Sequence, residues 1–144
     1  MATMKQLWWV DWDQIELREV EIPQVKPNEV KVKVAYAALC ATDVHQVTMG
    51  VMNSKPPAPL GHEASGTIVE LGEQAAAAGY KVGDKVTMFP VSHCGECEWC
   101  KKGMTQYCIN SKPTGAFAEY VVTDVKTIYK LPDNVELRDY AIVE

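Results

Sequence analysis

At 144 residues, with 47% hydrophobic and 23% charged side chains, the chain has the length and balance of one globular domain with its own core, which excludes disordered and collagen-like classes. A formal charge of −5, with no local run of Lys or Arg, leaves no basic field for phosphate backbones or anionic lipid, so neither nucleic acid nor a membrane surface is an expected partner. No apolar run approaches the roughly 18 to 20 residues of a spanning helix, and the opening "MATMKQLWWVDWDQ" shows no signal-peptide core or cleavage site, so the expected location is the cytoplasm.

In chain order, weak strand signals at 5–10 and 14–20 precede the clearest one, "EVKVKVAYAAL" at 29–39. There Val30, Val32, Val34 and Tyr36 alternate with Glu29, Lys31 and Lys33, which predicts one core face and one wet face. Thr42 is placed to cap a short helix through "DVHQVTM", ended near Gly50. The proline-rich loop at 53–60 fixes an extended approach to Gly61. Further strands are expected at 66–71, 85–89, 117–122 and 127–131, separated by Pro, Gly, Asn and Asp. Seven short strands at this spacing predict a mainly β fold, a sandwich or barrel, with few short helices. Near the end, Asp133 and Glu136 have capping-box spacing ahead of Leu137, Ala141 and Ile142, which predicts a second helix. That helix runs to Glu144 without a cap, as expected of a chain cut from a longer design, a frayed terminus being the other reading.

Four of the five cysteines crowd into "SHCGECEWCKKGMTQYC". Cys94, Cys97 and Cys100 are separated by two residues each, and Cys108 follows after seven more. Thiolates so spaced converge on one tetrahedral ion with bonds of about 2.3 Å, with zinc the default metal. Gly95 and Gly103 supply tight turns, and Lys101 and Lys102 can offset part of the thiolate charge. Disulfides are disfavoured in a reducing compartment. An iron or iron–sulfur site and a set of unrelated buried thiols are the other readings, and His93 is a bystander beside the complete set. With four protein ligands the site has no place for a substrate and is structural. Such sites contribute about 10 to 16 kcal/mol in small peptides, so metal loss is expected to melt at least this loop.

Cys40 stands apart in "CATDVH". A lone cysteine is commonly a small buried hydrophobe, but "GHEASGTIVELG" follows, with His62 and Glu63 adjacent. A thiolate, an imidazole and a carboxylate make an incomplete ligand set that leaves room for water or substrate, as a catalytic zinc requires.

Taken together, "CATDVH", "GHEASGTIVELG", "YKVGDKV", the cysteine cluster and "GAFAEYVV", in this order and across nearly the whole chain, resemble the zinc-dependent medium-chain alcohol dehydrogenases, especially the sorbitol (polyol) and threonine dehydrogenase branch. The resemblance implies a GroES-like, partly open β-barrel over 1–144, and two zinc ions, one catalytic and one structural. It implies Cys40 and His62 as ligands of the catalytic zinc, Glu63 as a ligand that comes and goes, and Glu144 as the match to a glutamate facing the metal. It further implies Thr42 as a hydroxyl relay, His45 as the imidazole ending that relay, and Asp43 as the carboxylate that orients the ligating histidine. Ala38 and Ala41 stand where the family more often has glycine.

The implied reaction is oxidation of a secondary alcohol or polyol to a ketone through a zinc alkoxide, with hydride passing to NAD or NADP. If a bound alcohol shifts as zinc-bound water does, from 15.7 to about 7, the differential stabilisation is about 12 kcal/mol. No G-x-G-x-x-G after a strand and no βαβ pattern occurs, so the nucleotide-binding domain is expected outside this chain. The 144 residues alone are then expected to be inactive, and the full-length protein a homo-oligomer. The alternative is a zinc-stabilised GroES-like binding or assembly module without chemistry. Met49, Val51 and Met52 either line an apolar pocket wall or pack the barrel rim.

Overall fold

A computed structural model describes residues 2–50 and 54–143 of the chain. Val51, Met52 and Glu144, named above as pocket and ligand candidates, lie outside the described residues. The elements run β1 (Thr3–Asp11), β2 (Gln14–Glu21), β3 (Glu29–Ala38), α1 (Ala41–Met49), β4 (Ala58–Pro59), β5 (Glu63–Leu71), α2 (Glu73–Ala77), β6 (Lys85–Met88), β7 (Val91–Ser92), α3 (Glu98–Lys101), β8 (Lys112–Pro113), β9 (Tyr120–Asp124) and β10 (Ile128–Lys130), before a 3₁₀ turn at Leu137–Tyr140.

Five strands form one antiparallel sheet in the order β10-β6-β5-β3-β9, and β2-β1-β4 form a second. The core lies on one face of the larger sheet, where Val30 and Val32 of β3 meet Ile68 of β5, Val86 of β6, Val121 of β9 and Ile128 of β10. Each such side chain contributes about 1.5 to 3 kcal/mol by leaving water, and β-branched residues suit the pleat. The sheets are stitched through 116–118. Leu7 N donates to Phe117 O at 2.8 Å, Phe117 N to Leu60 O at 3.0 Å, and Gln6 bridges Ala118. This closes the sheets into a partly open β-barrel.

All seven expected strands are present, and the proline-rich loop is extended at β4, which pairs with Trp8 and Trp9. Three expectations need correction. Tyr36 is not a core residue, because a register shift between Val34 and Tyr36 carries it to the outer face, 49% exposed. Thr42 does not cap α1, because Cys40 is the N-cap and Thr42 lies inside the first turn. The helix expected beyond 133 is only the 3₁₀ turn, with no side-chain cap. Its carbonyls are taken by the sheet instead. Lys85 Nζ donates to Asp133 O and Val135 O at 2.8 Å, the Ser65 hydroxyl to Leu137 O, and the Thr87 hydroxyl to Tyr140 O at 2.9 Å. Acceptors used in this way are withdrawn from an α-helical ladder.

Gly66 marks the closest approach of β5 to β3, since a Cβ there would sit 2.2 Å from Lys33 O and 2.7 Å from Val32 Cγ1. Gly66→Ala is expected to lower stability by about 2 kcal/mol or more through overpacking. Gly79→Ala meets nothing within 4 Å and strains only its φ of +93°, costing about 1 kcal/mol. Urea unfolding of the two variants checks the order, and equal midpoints would contradict the packing argument.

Candidate functional site

Two groups of donor side chains converge among the described residues: Cys94, Cys97, Cys100 and Cys108, and separately Cys40, His62 and Glu63, with the ligand atoms in each group within 4.8 Å of one another. The first lies in a lobe whose stem is the β7 and β8 pair. Positive φ at Gly95 and Gly103, +72° and +75°, turns the backbone so that the sulfurs face inward. Cys94 Sγ and Cys108 Sγ are 3.6 Å apart, close to the edge of about 3.8 Å that four 2.3 Å bonds give a tetrahedron. The donor set therefore fits zinc.

Backbone N–H groups point at these sulfurs. Cys97 N donates to Cys94 Sγ and Cys94 N to Cys108 Sγ, both at 3.4 Å. The N–H groups of Glu96 and Cys97 pull the Cys94 thiol down to about 6, and that of Cys100 lowers Cys97. Burial and the neighbouring Cys97 thiol push Cys100 up to about 12. Asn110 Nδ2 also lies 3.8 Å from Cys94 Sγ, a contact that spacing alone did not reveal. His93 is outside the group and packs its ring 5.6 Å from Phe89. The Lys102 ammonium is turned to Glu98 and over the Trp99 ring, 5.6 Å from its centroid, rather than being reserved for the sulfurs.

The second group is assembled by the barrel itself. Cys40 ends the run out of β3 and caps α1, Gly61 and His62 lead into β5, and Glu63 pairs with Ala38 across the β3–β5 ladder. One side chain ties these pieces together. Asp43, 3% exposed, accepts from Cys40 N at 3.1 Å through Oδ2, and from Gly61 N at 3.2 Å through Oδ1. The same Oδ1 lies 3.2 Å from His62 Nδ1, and the imidazole is 11% exposed. Gly61 has φ +87°, and a Cβ there would sit 2.5 Å from Phe117 N, so only glycine brings the chain to His62 by this path.

Cys40 Sγ accepts from Thr42 N at 3.5 Å and lies 3.5 Å from Thr42 Oγ1. The Thr42 hydroxyl and amide, with His62, hold the Cys40 thiol below its ordinary range, against burial and the Glu63 carboxylate. The site thus eases loss of the thiol proton, and the thiolate is the form that binds metal. Asp43 and Cys40 together make a capping box in which sulfur replaces the usual hydroxyl, and the three-residue spacing was its legible signal. His45 is exposed, three residues along α1 from Thr42, and no hydrogen bond joins the two among the described residues. Met49 is 66% exposed and does not pack the rim.

The model of the "Alcohol dehydrogenase GroES-like domain" matches residues 26–133, well over half the chain. The 2-dehydro-3-deoxy-L-galactonate 5-dehydrogenase of Pseudoalteromonas atlantica is 38% identical over 81% of this chain and 36% of its own length. The sorbitol dehydrogenase of Halalkalibacterium halodurans is 37% identical over 86% of this chain and 38% of its own. A crystal structure from Sinorhizobium meliloti, provisionally assigned as a zinc-binding dehydrogenase and bound to NADP, superposes with a TM-score of 0.84 at 32% identity, over 98% of this chain and 42% of that one. The chain therefore spans well under half the length of these relatives. No helix among the described residues is long and apolar enough to cross a membrane. The mainly antiparallel barrel and the extent of the match agree: the chain belongs to the alcohol dehydrogenase GroES-like domain family.

Proposed function

We propose that these residues form the catalytic domain of a zinc-dependent NAD(P) dehydrogenase that oxidises a secondary alcohol or polyol. The observation that carries this reading is the convergence of Cys40, His62 and Glu63 within 4.8 Å. Three donors among the described residues, rather than four, leave a position for a substrate oxygen, as catalytic zinc sites do, and Glu144, the further ligand that the resemblance implies, lies outside those residues. Cys40, His62 and Glu63 would hold the catalytic ion, and Cys94, Cys97, Cys100 and Cys108 the structural one.

Bound at the first site, zinc supplies Lewis-acid stabilisation of developing negative charge on oxygen, the chemistry that lowers the pKa of water from 15.7 to about 7. The protein's part is positional. Asp43 accepts from His62 Nδ1, which fixes the tautomer that leaves Nε2 unprotonated for ligation. Thr42, at the N-terminus of α1 beside Cys40, would accept the proton of the substrate hydroxyl as its own hydroxyl proton passes outward to water, and the exposed His45 imidazole, three residues along α1, would take it up from that water. A nicotinamide dinucleotide would supply the hydride acceptor, and its binding is assigned to a separate nucleotide-binding domain, since the paired strands of the described residues are all antiparallel and make no βαβ unit there. Polyol specificity is favoured by the sorbitol dehydrogenase relative, and a nicotinamide dinucleotide by the NADP-bound structure.

Metal stoichiometry tests this against a binding module that keeps only the cysteine site. The purified chain is expected to hold two zinc ions, with Cys40→Ser and His62→Ala each losing one and keeping the other, as read by elemental analysis. A single ion, unchanged in both variants, would remove the catalytic reading. Asp43→Asn is expected to weaken the same ion by about 10- to 100-fold while sparing the cysteine site, measured by competition with a chromophoric chelator. The 144-residue chain alone is expected to show no NAD(P)-linked oxidation of sorbitol or other secondary alcohols, and cofactor reduction by the pure chain would overturn the assignment of the hydride acceptor to another domain.

A further inference from the structure

We propose that Thr87, on β6, is a positioning residue for the Cys40, His62 and Glu63 site, a proposal that rests on that site's reading as a metal centre. The ladder between β5 and β6 covers only Ser65 to Thr67 against Thr87 to Lys85. Beyond it, the end of β5 that begins at Glu63, directly after His62, is paired among the described residues on one side alone, where Glu63 faces Ala38 and Ala64 faces Ala37 of β3. On the other side the Thr87 side chain stands in for the missing ladder. Its hydroxyl, on a residue 8% exposed, donates to Tyr140 O at 2.9 Å and lies 3.2 Å from Ala64 O, the carbonyl directly after Glu63.

One hydroxyl proton therefore lies between the ligand-bearing strand and the 3₁₀ turn laid over it. Ser65, opposite Thr87 in the register, holds the same turn through Leu137 O, and Lys85 holds its approach through Asp133 O and Val135 O. Of these three side chains, Thr87 is the one that also reaches a carbonyl on the ligand side of the ladder's end. Removing its hydroxyl leaves Ala64 O and Tyr140 O without this donor and frees the strand end on its β6 side. Metal sites tolerate only about 0.5 Å of ligand displacement, and loss of a hydrogen bond to a ligating group costs about 10- to 100-fold in affinity; Thr87 acts one residue further along the strand, so its effect belongs at the lower end.

The test is zinc titration of the 144-residue chain against a chromophoric chelator, with Cys40→Ser identifying which of two dissociation constants belongs to the proposed site. Thr87→Val, which keeps the shape and removes the hydroxyl, is expected to raise that constant by about 10-fold. The cysteine site should remain unchanged and report in the same titration that the variant is folded. Thr87→Ser, which keeps the hydroxyl and removes a methyl group, is expected to stay within about 3-fold of the parent, since the lost outer-shell bond is restored. Equal constants for Thr87→Val and the parent, with Cys40→Ser still abolishing the site, would overturn the positioning role while leaving the metal centre standing. Equal weakening in Thr87→Ser and Thr87→Val would assign the effect to packing and also overturn it. A parent that binds one ion, unaffected by Cys40→Ser, would remove the metal reading and this proposal with it.

Discussion

The carboxyl group of Asp43 holds the site together. Burying such a group is costly unless donors replace the water it loses, and here the replacements are Cys40 N, Gly61 N and His62 Nδ1. Those three donors belong to the two separate segments that must meet for Cys40 and His62 to come together. The electrostatic need of one buried acid is thus met only when the α1 N-terminus and the Gly61–His62 approach are in register. Folding and site assembly are in this respect the same event.

The backbone supplies what Asp43 cannot. At Gly61 a left-handed φ and contact with Phe117 N let the chain pass between α1 and the 116–118 segment. At Gly66 the strand lies so close to Lys33 O that no side chain fits, which brings β5 against β3 just downstream of Glu63. Sheet register then sets the carboxylate beside Ala38. The ligands are consequently placed by strands and a helix terminus rather than by a free loop, the arrangement best suited to precise geometry.

Much of this was legible beforehand. The seven longer strands follow from alternation and breakers, and both donor clusters follow from residue type and spacing, because metal ligation needs few residues of distinctive chemistry. What was illegible depended on contacts distant in sequence. Tyr36 alternates with Lys33 as a core residue should, yet a bulge set by the pairing of Val34 with Gly66 reverses it. The segment after Asp133 carries a helical pattern, but Lys85, Ser65 and Thr87 claim its carbonyls, and propensity yields to tertiary hydrogen bonding. Thr42 looked like the better cap by residue type, whereas the sulfur of Cys40 takes that place. The two-residue strands β4, β7 and β8 are too short to carry any period.

The two donor clusters divide their labour through the way each is supported. The four sulfurs sit in a lobe in which, of the four cysteines, only Cys108 is buried, joined to the barrel by a stem of two-residue strands. On the proposed function, sulfur–metal bonds would supply much of that lobe's order. The Cys40, His62 and Glu63 cluster is built the other way, on barrel elements joined by the β3–β5 ladder and by the hydrogen bonds of Asp43. An open position exposes a metal to exchange, so its protein ligands have to be held by something other than the metal. On the proposed function, an incomplete set on the barrel and a complete set on an outlying lobe would let ligands change at one centre without loosening the other.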